Sequence, residues 1–373
     1  MSSSEAPRRP IERHTLRQAA WLALFAAGTV VWLISFAGGA ARAWRGLLIS
    51  FIFFTPMAAG MVVWSPVVLL SHGRWIGRLE RACLSGIAFA LPSLIALGLL
   101  WIGSGTWLPW AGKELSQGVW LNRHFIFARD LGALILLWTL AAWYVRRRTG
   151  GDGRIVGGWL IVTYCLVMSL LGFDLVMALD PQWYSTLFGG FFFISGMYMA
   201  VTLWTLLALR APGGTTDRIH DLAKLMVAFA ILTTYLAYAH LLVQWYENLP
   251  HETRFLVPRM NYDPWRYVSA GIFALPYLGP LVLLLTIWSK RTRGYLGLIA
   301  LLVLAGMWIE RCWLVIPTVQ WTAAAPAQPS HLQLTIGMAE LGPLAAMAAT
   351  LALGIEIFSA LVPPHIGQGA DDS

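Results

Sequence analysis

Ten apolar stretches, each about as long as a helix needs to cross roughly 30 Å of hydrocarbon, follow one another with short polar joints between them. They lie near 18–37, 46–71, 83–103, 125–145, 155–179, 187–209, 221–246, 267–289, 295–316 and 333–361. A chain built this way has few options. Inside a bilayer every backbone N–H and C=O must find its partner within the protein, and runs about twenty residues long meet that demand as helices. Composition agrees: 58% of the 373 residues are hydrophobic and only 12% are charged, with 20 Trp, against roughly 25% charged in soluble domains. The expected fold is all-α, a polytopic bundle of ten helices over residues 18–362. Cytoplasmic tails are expected at 1–17 and 363–373, and no soluble domain is left over.

Charge sets the expected orientation. A cytoplasmic N-terminus assigns seventeen of the 26 basic residues to the inner side, including Arg74, Arg78, Arg81, Arg146, Arg147, Arg148, Lys290 and Arg291. Seven fall outside, Arg42, Arg45, Lys113, Arg123, Arg254, Arg259 and Arg266, while Arg129 and Arg311 lie within spans. The positive-inside rule therefore places both termini in the cytoplasm. Arg8, Arg9, Arg13 and Arg17 precede the first run as in a signal peptide, but that run is too long for a signal core and reads as a first span.

Several function classes drop out. The net charge of +8 resides at helix joints and not in a basic, aromatic surface segment, so nucleic acid is not an expected partner. Cys83, Cys165 and Cys312 are isolated in apolar runs, which offers neither a zinc or iron–sulfur pair nor a disulfide framework. Of the histidines only His240 sits within an apolar stretch, whereas a membrane haem b needs an axial pair. No H-E-x-x-H or G-x-S-x-G occurs. The chain is expected to hold no cofactor and no metal of its own.

What remains is a set of ionisable residues inside the spans, each costly there unless it faces protein, a cation or water. Arg129 and Asp130 lie in the fourth, Asp174 in the fifth, His240 in the seventh, Glu310 and Arg311 in the ninth, and Glu340 and Glu356 in the tenth. All but Glu356 fall in roughly the outer third of their predicted spans, at about 1.5 Å per residue. A ring of structural ion pairs gives this pattern, and so does an inlet open to the outer face. Arg129 and Arg311 read as partners that neutralise carboxylates. Asp174, His240 and Glu340 read as candidates for a proton relay, with Glu310 and Asp130 beside them and Glu356 marking an inner half or a helix end. Between the fifth and sixth spans the joint carries Asp180, Pro181, Trp183, Tyr184, Ser185 and Thr186, and Asp180-Pro181 suits a helix end.

Three strings, FDLVMALDPQWYSTLFGG from Phe173, HDLAKLMVAFAILTTYLAYAHLLVQWYENLPHET from His220 and IERCWLVIP from Ile309, resemble the second large membrane subunit of alternative complex III. That complex is a bacterial quinol:cytochrome c oxidoreductase, and the subunit belongs to the NrfD-like (polysulfide-reductase) superfamily. The resemblance covers nearly the whole chain from the second span. It implies two four-helix bundles, helices 2–5 and 6–9, flanked by helices 1 and 10. It implies partners too: a homologous quinol-binding membrane subunit, an iron–sulfur subunit and haem c subunits carrying the clusters and haems, with lipid around the chain and quinone nearby in the bacterial inner membrane. Where the quinol-binding sibling has a histidine in its second helix, this chain reads Thr55-Pro56-Met57-Ala58-Ala59-Gly60, so an accessory role in proton translocation and scaffolding is implied rather than quinol oxidation. Gln182 stands in the turn where relatives carry histidine.

Alternatives are a secondary transporter or channel, which calls for related halves with matching broken helices, and a docking platform without chemistry. The orientation is testable: a reagent applied outside intact cells should label cysteines placed in 317–332 and miss those in 146–154. The reverse pattern contradicts the assigned topology.

Overall fold

The computed structural model describes residues 10–73, 75–113, 115, 117–211, 213–247, 249, 252–323 and 332–362. The tail at 363–373, the first nine residues of the expected N-terminal tail and 324–331 of the expected outer loop lie outside them. The described residues are helical, without a strand, and contain ten helices long and apolar enough to cross a membrane. These are α1 (Thr15–Gly38), α2 (Ala40–Leu70), α3 (Leu79–Trp107), α4 (Arg123–Thr149), α5 (Arg154–Leu179), α6 (Leu187–Ala208), α7 (Thr216–Glu247), α8 (Trp265–Leu283), α9 (Arg293–Thr322) and α10 (Met338–Leu361).

Helices α2, α3, α4 and α5 close one ring, each packing on the next and α5 returning to α2. Helices α6 to α9 close a second ring in the same way. The rings share a seam in which α2 and α5 meet α6, and α2 also meets α9. Outside them α1 lies along α10, which rests on α2 and the start of α3. Helix α2 is therefore walled in on every side, and its most apolar window is 100% buried.

Lipid-exposed helices gain little from mutual hydrophobicity, so close backbone approach carries much of the packing. Three seams depend on glycine for it. A Cβ on Gly46 of α2 would lie 1.8 Å from the Ala339 carbonyl oxygen of α10, and one on Gly86 of α3 would lie 2.2 Å from that of Ala58. Along α1 and α10, Gly28 and Gly342 sit backbone to backbone, and a Cβ on Gly28 would stand 2.6 Å from the Ala346 nitrogen.

Local chemistry explains the ends. Asn122 caps α4 by accepting from the backbone N–H groups of His124 and Phe125. Helix α10 starts at Met338 rather than near 333, because the Glu340 carboxylate turns back to accept from the Gly337 N–H at 2.8 Å. Helix α2 starts at Ala40, which brings Arg42 and Arg45 out of the expected loop and into a helix. Helix α8 stops at Leu283 rather than 289, and Ile287–Arg291 forms a separate short turn capped by Thr286. Pro276 lies in a π-helical stretch, Phe273–Leu278, where the Tyr198 hydroxyl donates to its carbonyl at 2.8 Å.

Gly46→Ala should destabilise the α2–α10 seam by about 1–3 kcal/mol, since the methyl meets a backbone oxygen that cannot yield. Gly98→Ala, with nothing within 4 Å of the added carbon, should leave stability unchanged. Thermal unfolding in mild detergent distinguishes them, and equal melting temperatures would contradict this account.

Candidate functional site

The first ring holds a carboxylate pair with one arginine. Asp174 occupies the last turn of the α-helical part of α5, which ends at Leu175, and Arg129 and Asp130 lie early in α4. Arg129 Nη2 donates to Asp174 Oδ2 at 2.5 Å. Its guanidinium lies 3.9 Å from the centre of the Trp120 ring and 5.0 Å from that of Phe125, so an aromatic of the α3–α4 connection caps the charge. Asp130 is fully buried, lies against Asp174, and offers two oxygens that no donor among the described residues meets. Two carboxylates cannot hydrogen-bond each other, because each only accepts, and a single proton placed between them turns the contact into a bond. This cluster can therefore hold one proton beside one ion pair.

The second ring also holds a buried acid. Glu310 and Arg311 of α9 are both fully buried, with Arg311 Nη1 3.2 Å from Glu310 Oε2. The Tyr277 hydroxyl of α8 donates to Glu310 Oε1 at 3.1 Å, and Arg311 Nη2 donates to Ser195 Oγ of α6 at 2.6 Å. Phe192 faces the guanidinium at 4.8 Å. Glu310 Oε2, Arg311 Nε and Arg311 Nη1 make no well-directed hydrogen bond to protein. The site thus joins three helices yet is incompletely satisfied.

The α5–α6 connection forms a third set. Asp180 accepts from Arg254 Nε at 3.1 Å and from the Gln182 N–H at 3.3 Å, an Asx turn after Pro181 fixes the chain direction. Trp183 is buried and stacks on Phe255 with centroids 4.2 Å apart. Ser185 Oγ lies 2.7 Å from His240 Nδ1, and Gln244 Nε2 lies 3.1 Å from His240 Nε2. Both imidazole nitrogens are occupied, and because the Gln244 amide nitrogen only donates, Nε2 accepts while Nδ1 carries the proton and donates to the Ser185 hydroxyl. Tyr184 and Thr186 point outward.

Glu340 and Glu356 hold helices together. Arg42 grips Glu340 with Nε at 3.0 Å and Nη2 at 2.9 Å, a bidentate clamp of α2 on α10. Arg17 at 2.5 Å and the Trp21 indole at 3.1 Å bind Glu356, joining α1 to α10 at the end that carries both termini. Asp174, His240 and Glu340, expected to exchange protons, thus sit in three separate hydrogen-bond sets, and none of the bonds among the described residues joins any two of them. Nor do the charges share one depth. Helix α9 runs on to Thr322, which places Glu310 about 18 Å from that end, near mid-helix, while Glu340 lies in the first turn of α10.

Two buried clusters have little signal in the sequence. Glu80, at the start of α3, accepts from Arg148 Nε at 2.7 Å and from Ser65 Oγ at 2.6 Å, and Ser65 meets the Tyr144 hydroxyl at 2.7 Å. A lone acid between Arg78 and Arg81 is its only mark there. Arg259, expected in an outer loop, is fully buried and donates to the carbonyls of Phe255, Trp313 and Leu314 and to the Thr318 hydroxyl.

No group of three or more His, Cys, Asp or Glu among the described residues could hold a metal ion. No protein-family model matches the chain, and no curated protein matches it. Fold and buried charges define the class: an all-α, multi-pass protein of a lipid bilayer.

Asp174→Asn should cost about 3 kcal/mol by leaving Arg129 without its counter-ion, and Arg129→Gln added to it should restore part of that loss. Glu356→Gln, whose partner Arg17 is 63% exposed, should cost under about 1 kcal/mol. Detergent melting of the variants checks the order.

Proposed function

We propose that this chain is an integral, cofactor-free subunit of a quinol:electron-acceptor oxidoreductase of the alternative complex III type, in a bacterial inner membrane with both termini cytoplasmic. Its task is to scaffold the complex and to move protons as electrons pass through partner subunits: a homologous quinol-binding membrane subunit, an iron–sulfur subunit and haem c subunits. The observation that carries the proton-moving part is that each four-helix ring encloses a buried arginine–carboxylate site left open by its protein neighbours, Asp130 with Asp174 in one and Glu310 in the other. A purely structural ion pair is favoured when every donor and acceptor is satisfied, as at Glu340. The resemblance around Asp180–Thr186 supports the complex, and the arginines at Arg146, Arg147 and Arg148 in the last turn of α4 support the orientation.

A secondary transporter is the second reading, favoured by the pairing of two four-helix rings, an arrangement that internal repeats produce. One preparation tests both readings. The tagged chain, purified in mild detergent, should bring haem c and iron–sulfur subunits with it, and a chain that arrives alone favours the transporter. In the assembled complex in vesicles, Asp130→Asn and Glu310→Gln should each retain electron transfer while releasing fewer protons per electron. Wild-type coupling in both variants, fully assembled, would exclude these acids from the route.

A further inference from the structure

Among the described residues the second ring encloses a cavity of about 500 Å³, within the roughly 300–1,000 Å³ typical of small-molecule sites. The course of α8 makes this room. Over Trp265–Ile272 the helix packs on α9, and it packs closely along α7 only from Phe273 onward. There its backbone widens from α to π around Pro276, a local departure that is common at functional sites. The two helices therefore part towards the end of α8 that begins at Trp265. Tyr238 of α7 and Phe273 of α8 line the cavity and are also half exposed, so the gap between them opens sideways to lipid.

Free charge is confined to one end. Phe188, Phe191, Phe255, Phe273 and Trp313 form the walls. The polar side chains between them are engaged inside the protein: His240 with Ser185 and Gln244, Ser269 with the Arg259 carbonyl and the Trp313 indole, and Tyr277 with Glu310. No lining side chain is a carboxylate or a lysine, and the one arginine, Arg266, sits in the first turn of α8. Its Nη2 lies 3.2 Å from Asp263 Oδ1 and donates to the Tyr267 hydroxyl at 3.0 Å, while its Nε and Nη1 meet no acceptor among the described residues. Both side chains of the Arg266–Asp263 pair are more than half exposed, 53% and 59%, so each can still meet a partner from the head-group layer. From Arg266 to Tyr277 the lining follows α8 inward for about 16 Å. The matching ligand carries both signs of charge at one end and a flexible hydrocarbon tail at the other.

We propose that this cavity holds one acyl chain of a zwitterionic phospholipid, of the phosphatidylethanolamine class, whose phosphate accepts from Arg266 and whose ammonium donates to Asp263. The chain enters between α7 and α8 and lies along the aromatic walls. An anionic head group fits less well, because its phosphate would come to Arg266 with no cation to answer Asp263. A choline head carries the cation but has no N–H to donate, and charge-assisted hydrogen bonds are the strong ones. Neither the cavity nor the charge pair depends on partner subunits, so binding is expected of the chain on its own.

The probe is palmitoyl-oleoyl phosphatidylethanolamine titrated into the delipidated full chain in detergent, with bound lipid counted by native mass spectrometry and melting temperature as the control for folding. One tightly held lipid per chain is expected. It should bind about fivefold more tightly than phosphatidylglycerol or phosphatidylcholine with the same acyl chains, the factor that an exposed ion pair supports. Asp263→Asn should erase that preference, and Arg266→Gln should weaken all three lipids. Ala237 lines the cavity, so Ala237→Trp should abolish tight binding, and Ala237→Leu serves if the larger residue prevents folding. Absence of a tightly held lipid, equal affinity for the three head groups, or tight binding unchanged in a folded cavity-filling variant would overturn the proposal. So would a preference for phosphatidylglycerol, which would mark the mouth as a simple anion site.

Discussion

An arginine placed in hydrocarbon must find its counter-charge or its hydrogen-bond acceptors within the protein, and that requirement decides which helices this bundle ties together. Each buried guanidinium answers it differently. Arg129 takes a carboxylate from the next helix and an aromatic face from a loop. Arg311 takes its neighbour Glu310 and a serine across the ring. Arg259 pairs with no carboxylate among the described residues and satisfies its donors on three carbonyls and Thr318, with the Phe255 ring 3.7 Å away. The last solution pins the α7–α8 connection onto α9, because those carbonyls come from Phe255 on one side and Trp313 and Leu314 on the other.

Completeness of satisfaction separates these sites more sharply than burial does. Glu80, Glu340 and Asp174 are all nearly inaccessible, yet Glu80 and Glu340 accept several directed bonds apiece. Such groups are held in one geometry, which is what a clamp needs. Among the described residues no donor meets either Asp130 oxygen, and Glu310 Oε2 has the Arg311 ion pair without a well-directed hydrogen bond. An unsatisfied buried carboxylate is a standing cost of about 1–3 kcal/mol or more, so its presence in both rings argues for a use beyond holding helices together.

The architecture was legible because hydropathy alone counts spans and the bilayer leaves backbone few alternatives. The ten helices follow the hydropathy and the two rings flanked by α1 and α10 agree with what the resemblance implies, whereas nothing in the chain indicates that α1 lies along α10. Partners were less legible. Arg42 looked like a loop cation because Ala40–Gly46 is neither long nor uniformly apolar, and only the seam at Gly46 shows that a helix runs there. Glu80 and Arg148 belong to different spans, and no local pattern says that Ser65 and Tyr144 lie beside them. Depth was misjudged at α9 for a similar reason: Thr318 and Gln320 read as a loop, whereas the Thr318 hydroxyl bonds back to the Leu314 carbonyl at 3.0 Å and meets Arg259. Ser185 and His240 both stand out in the chain, but their contact needs the fold.

The rings communicate through packed contacts at their shared seam, where α2 and α5 meet α6 and α2 also meets α9. It is tight. A Cβ on Gly196 would lie 2.6 Å from the Tyr164 hydroxyl and 2.8 Å from Pro56 Cβ, and Tyr164 itself donates to the Pro56 carbonyl at 3.1 Å. Ser195, next to that glycine, receives Arg311 from the second ring. Helices so interlocked cannot slide past one another without opening voids that a close-packed interior resists. A change at Glu310 therefore reaches the first ring through the electric field rather than through helix motion, since the hydrogen bonds of Arg311 and Ser195 end on α6. Coupling of that kind is short-ranged, since an effective dielectric of about 20 reduces two unit charges at 10 Å to roughly 1.7 kcal/mol. Mid-helix placement of Glu310, beside the seam, is where such a field is felt in both rings, and an acid at the helix ends would lose it to solvent screening.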